Sequence, residues 1–65
     1  MTVEEVKAFL MAHEGRRVRV MFDDGVVESV TVLAFDDEGF LHSWPDSVSD
    51  LWTRFESVTD VSIDI

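Results

Sequence analysis

Residues 18–41 read V-R-V-M-F-D-D-G-V-V-E-S-V-T-V-L-A-F-D-D-E-G-F-L, and they constrain the fold more than any other stretch of the chain. Val18, Val20 and Phe22 alternate with polar or exposed-type residues, which is the period of a half-buried strand. Asp23-Asp24-Gly25 supplies a tight hairpin turn, because glycine adopts the positive φ that such turns require. A β-branched run over 26–35 follows and ends in a second turn, Asp36-Asp37-Glu38-Gly39. The pattern predicts a meander of antiparallel strands.

The second of these strands is mixed in phase. Val30 and Val32 share one face, while Leu33 and Phe35 share the other. A strand that changes its buried face midway is bent or bulged, as in a closing barrel. Upstream, 2–14 reads as a helix: Thr2 and Glu5 have capping-box spacing, and Val3, Val6, Phe9 and Leu10 form one apolar stripe to set against the sheet. Gly15 is placed to end it. Strands are predicted over 17–22, 26–35, 40–44, 51–55 and 59–65, with 45–50 as the linker-like loop. Val61, Ile63 and Ile65 alternate in the last. A flat five-stranded sheet would leave one face bare. The expected architecture is therefore a single domain over 1–65, mainly β with one N-terminal α-helix, its five antiparallel strands strongly bent into a small barrel.

Composition narrows the function classes. A chain of 65 residues has little core to spare, and chains of this size bury only about 60% of their unfolded surface. With no cysteine there is neither a disulfide framework nor a thiolate metal site. No apolar run approaches the roughly 20 residues of a membrane span, and the first residues lack a basic-then-apolar signal pattern. The default expectation is a cytoplasmic protein without membrane contact. The net charge of −9, from 14 acids against five bases, favours solubility and works against nucleic acid.

This organisation resembles the Sm-like family, which includes the Sm and LSm proteins and bacterial Hfq. Val18, Val20 and Phe22 match the alternation of the family's first motif, Gly25 its turn glycine, and Phe35-Asp36 its aromatic-Asp ending. Leu41 stands where the third strand resumes, and Arg54 and Val58 fall at the basic and aliphatic positions of the second motif. The resemblance implies a helix followed by five bent strands, in an Sm-like or SH3-like barrel. It also implies rings joined by strand four of one subunit and strand five of the next, and RNA binding through Asp36, Phe40 and Arg54. The departures fall at the RNA-binding positions: Phe40 replaces an Asn, Glu38 a stacking group and Phe55 a Gly, Phe55-Glu56 stands near the Lys-His pair of Hfq, and Ser29 takes the place of a second glycine.

Among the residues themselves, Arg16, Arg17 and Arg19 could form a basic rim for RNA, with Arg17 and Arg19 pointing together. The competing reading is that they neutralise the helix end and pair with nearby acids. The acidic clusters Asp23-Asp24 and Asp36-Asp37-Glu38 lack the ligand number of a hard-cation site and read as solvated turns. His13 and His42 have neither zinc-ligand spacing nor the context of a catalytic triad. No metal, cofactor or enzymatic activity is expected. Trp44 and Trp52 bracket the 45–50 loop, either packed across strands or exposed together as a platform. The last strand, with Val61 and Ile63, lacks a terminal Lys or Pro to protect its edge. The leading expectation is a non-enzymatic binding and assembly module that self-associates through strand edges and the Trp44/Trp52 region. The alternatives are an RNA-binding Sm-like protein and an acidic inhibitor of a nucleic-acid-binding protein. The last resembles an acidic Sm-like family that inhibits the transcription terminator Rho.

Overall fold

The computed structural model describes residues 1–64. Helix α1, Val3–Ala12, starts at the expected capping box. The Glu5 N–H donates to Thr2 Oγ1 at 3.1 Å, and the Thr2 N–H donates to Glu5 Oε1 at 2.9 Å. The Thr2 backbone N–H, and after it the Thr2 side chain, favour the ionised Glu5 carboxylate and lower its pKa. Val6 and Leu10 are fully buried, but Val3 is 46% exposed, so the inward stripe is narrower than its spacing suggests. The helix stops at Ala12 with His13 as its cap, ahead of Gly15. Gly15, at φ 79°, turns the chain so that its N–H reaches the Val32 carbonyl at 2.7 Å.

Five strands follow: β1 Arg17–Phe22, β2 Val27–Phe35, β3 Gly39–His42, β4 Leu51–Arg54 and β5 Val58–Ile63. Two boundaries differ instructively from expectation. β3 ends at His42 because the chain turns away into Pro45 and Asp46, the latter at φ 60°. Phe55, expected to end the fourth strand, opens a 3-10 turn, Phe55–Ser57, and drops its ring into the core. Ile65, expected to close the fifth strand, lies outside the described residues.

The sheet order is β4-β3-β2-β1-β5, every neighbouring pair antiparallel. β2 serves both halves: its first part pairs with β1 and its second part with β3. Between them the register slips at Val32/Ala34, leaving Leu33 as the extra residue of a bulge. That bulge is the change of phase read from the sequence, and it curls the sheet. The curl does not close into the expected barrel; β4 and β5 remain as edges. Their directions explain why. The chain of antiparallel pairings makes β4 and β5 run the same way, and they are joined only by the three-residue 3-10 turn. Parallel neighbours need a crossover of about a dozen residues or more.

The concave face holds the core: Val18 and Val20, Val30 and Val32, Phe40, and Val58 and Val61, with Phe55 at one end and Val6 and Leu10 laid across from α1. Phe40 and Phe55 stack with centroids 5.8 Å apart. The buried polar side chain among these is His42. Its Nδ1 lies 2.8 Å from the Ser43 carbonyl and must donate to it, leaving Nε2 to accept from the Thr53 hydroxyl at 2.8 Å. Both ring nitrogens of the neutral imidazole are thereby satisfied. Desolvation is the main cause of a lowered His42 pKa, outweighing the opposing Ser43 bond and the field of Asp50. No helix among the described residues is long and apolar enough to cross a membrane.

Candidate functional site

The residues expected to hold RNA do not form one surface. Phe40 is fully buried, stacked on Phe55 and 4.8 Å from the His42 ring, so it is a core residue and cannot stack on a base. It points inward because β3 alternates, sending Gly39 and Leu41 to the convex face and Phe40 and His42 to the concave one. Asp36 is exposed but committed to its own turn. One carboxylate oxygen accepts from the Glu38 N–H at 2.8 Å and the Gly39 N–H at 2.9 Å, and these bonds, Glu38 first, lower its pKa. Arg54 lies opposite Gly39 in the ladder, at the same end of the sheet, and pairs loosely with Glu56 at 3.7 Å.

Beside Asp37, Glu38 and Arg54, against the first turns of α1, lies a shallow depression of about 280 Å³. Its charged walls are Glu4, Asp37, Glu38 and Glu56 against Lys7 and Arg54, a balance that opposes a phosphate. Among the described residues no three His, Asp or Glu side chains converge to hold a metal ion.

Arg17 and Arg19 do point together from the convex face of β1, with two strands, β2 and β3, between them and β4. Asp64 holds both, at 2.9 Å from Arg17 and 3.6 Å from Arg19. Arg16 is exposed, and its carbonyl accepts from the Val32 N–H. The basic rim exists as geometry, with an acid already set into it.

The two tryptophans part company. Trp44 is half-buried on the core side, edge-on to Phe22 at 5.6 Å. Trp52 lies opposite Leu41 on the convex face, 46% exposed. Its ring covers Gly39, where an added Cβ would come within 2.6 Å of Trp52 Cζ2. Neither a shared stack nor a shared platform forms, because Trp44, past the end of β3, packs against Phe22 on the core side while Trp52 lies opposite Leu41 on the convex face.

The edges carry the open valences. The Phe22 N–H bonds Val26 and the Arg16 carbonyl bonds Val32, so the backbone groups of Val18 and Val20 face β2 and those of Arg19 and Met21 face β5. Their partners Ser62 and Asp60 face back, leaving the N–H and C=O of Val61 and Ile63 on the free edge. On the other side, the Gly39 carbonyl bonds Asp36 and the Ser43 N–H bonds Thr31, so Phe40 and His42 face Thr53 and Leu51. The N–H and C=O of Trp52 and the N–H of Arg54 are then the unpaired groups of β4, the Arg54 carbonyl being taken by the 3-10 turn that it caps. Val61 itself is only 7% exposed and offers its backbone but no side chain, whereas Ile63 is 60% exposed and Leu51 41%. Leu51 escaped the sequence reading; its signal was a strand, 51–54, that carries an arginine and no acid in a strongly acidic chain.

These features define a class by structure: a small, acidic, strongly curled five-stranded sheet with one helix and two open edges. Comparisons with protein-family models, with curated proteins and with solved structures find no match for this chain.

Proposed function

We propose that this chain is a non-enzymatic protein-interaction module of Sm-like type that self-associates through its sheet edges. The observation that carries this reading is the pair of unpaired edges, β4 and β5, flanked by Leu51, Trp52 and Ile63 at 41%, 46% and 60% exposure. Unpaired edge strands with apolar flanks are templates for another strand. Association through main-chain bonds also needs no pocket or reactive group. A cytoplasmic setting belongs to the same proposal, on the sequence grounds given above.

The net charge of −9 and the exposed acids of the Asp23-Asp24 and Asp36-Asp37-Glu38 turns favour a second reading, capture of a basic protein surface. RNA binding is disfavoured, since Arg17 and Arg19 are held by Asp64, Phe40 is buried in the core, and the chain carries −9. Native mass spectrometry of the chain, alone and mixed with short U-rich and A-rich RNA at low salt, separates these readings. Self-association without an RNA adduct is the expected outcome. Monomers that take up RNA would refute the proposal, and monomers that ignore RNA but bind a polycationic protein would move the function to the acidic surface.

A further inference from the structure

We infer that two copies join through β4 as an antiparallel, two-fold pair centred on Thr53. The inference rests on the self-association proposed above and names its surface. In an antiparallel joint, outward-facing backbone groups must meet outward-facing ones. On β4 these are both backbone groups of Trp52 and the N–H of Arg54, whose neighbours in the ladder are Leu41 and Gly39. A two-fold axis at Thr53 sets Trp52 opposite Arg54 of the other copy and repeats that pair by symmetry, so that each Arg54 N–H donates to the facing Trp52 carbonyl, about two new backbone bonds.

The side chains agree with this register. Trp52 and Arg54 both project from the convex face; the indole lies over Gly39 on the β3 side, and the long, exposed Arg54 side chain of the other copy reaches across the joint toward it, a cation–π arrangement. Arg54 is free to make the exchange: its present partner Glu56 is 3.7 Å away, and both side chains are more than half exposed. The bonds of Thr53 to Phe40 and His42 lie on the inner side of the strand and are undisturbed.

Charge selects β4 over β5. Leu51–Arg54 holds one arginine and no acid. The equivalent two-fold joint on β5, with Val61 opposite Ile63, would set Asp60 against Asp64 of the other copy. In a chain carrying −9, the edge without acids is where two copies meet with least repulsion. Asp50 and Glu56 flank the β4 joint at its ends, so association strengthens as salt is added.

The chain has no cysteine, which makes a cross-linking test clean. In the proposed register, position 53 faces itself in a non-bonded pair about 4.5 Å apart at Cα, close enough for a disulfide. Thr53→Cys should oxidise to a covalent dimer at micromolar concentration. Ser62→Cys, which reports the two-fold joint on β5, and Val48→Cys in the exposed loop should cross-link only at collision level. A dimer of Ser62→Cys without one of Thr53→Cys overturns the inference, as does the absence of both while light scattering still finds multimers. In those two cases self-association stands; a monomer by light scattering removes both.

Because Thr53 also bonds His42, a second variant guards against a folding defect. Arg54 sits at φ −70°, within the range of proline, and its N–H faces the free edge. Arg54→Pro should keep the circular dichroism and melting behaviour of the native chain while weakening association at least tenfold. Unchanged association in a folded Arg54→Pro overturns the inference.

Discussion

At the scale of single residues, His42 shows how a polar group is kept in a small apolar core. Its two ring nitrogens are both bonded, to Ser43 and Thr53, while the rings of Phe40, Phe22 and Trp44 surround it at 4.8, 6.1 and 6.1 Å. Burial holds its pKa below the ordinary 6.5, so the unfolded chain takes up a proton before the folded one does. Stability contributed by neutral His42 is thus present above about 6.5 and is lost as pH falls from there through the lowered folded value. Glu5 and Asp36 are also lowered, so their contributions begin to fade only below 4.5 and 3.8. Urea unfolding followed from pH 7 to 5 should show a falling midpoint in the native chain. His42→Gln should lose most of that slope within the window; an equal slope in both would place its origin elsewhere.

At the scale of elements, the curl comes from one slipped residue. Leu33 is pushed out of register between Val32 and Ala34 and is 40% exposed, whereas Val32 is fully buried. Leu33→Lys should change stability by no more than about 0.5 kcal/mol, as at an ordinary surface position. Val32→Asp buries an unpaired charge and should prevent folding at room temperature, since that penalty is several kcal/mol and a core this small supplies about 3–5 kcal/mol in all. Thermal melting of the two variants checks the contrast. This much was readable in the chain: the helix cap, both acidic turns, the strand count and the bend in β2 all follow from local spacing. What was not readable depends on contacts distant in sequence. Phe40 looks like a candidate ligand contact until its strand phase is known, and Trp44 and Trp52 look like partners until the ladder shows them on opposite faces. The failure to close into a barrel has the same origin, because it turns on the relative directions of β4 and β5.

At the scale of the whole molecule, a 7.4 kDa chain stops short of closing its sheet and leaves two edges open. Many native sheets protect such edges with lysine, proline or a covering loop. Here the N-terminal amine reaches the Thr59 carbonyl at 3.3 Å and covers the start of β5, while β4 presents Leu51 and Trp52 uncovered. On the proposed reading, the charge of −9 would limit uncontrolled stacking of these edges and make association depend on salt. The most direct test is the molar mass of the unmodified full chain by light scattering, from micromolar to millimolar concentration at low and high salt. A mass that rises to twice 7.4 kDa or a higher multiple, sooner at high salt, is the expected result. A constant 7.4 kDa under every condition would contradict an assembly module built on open sheet edges.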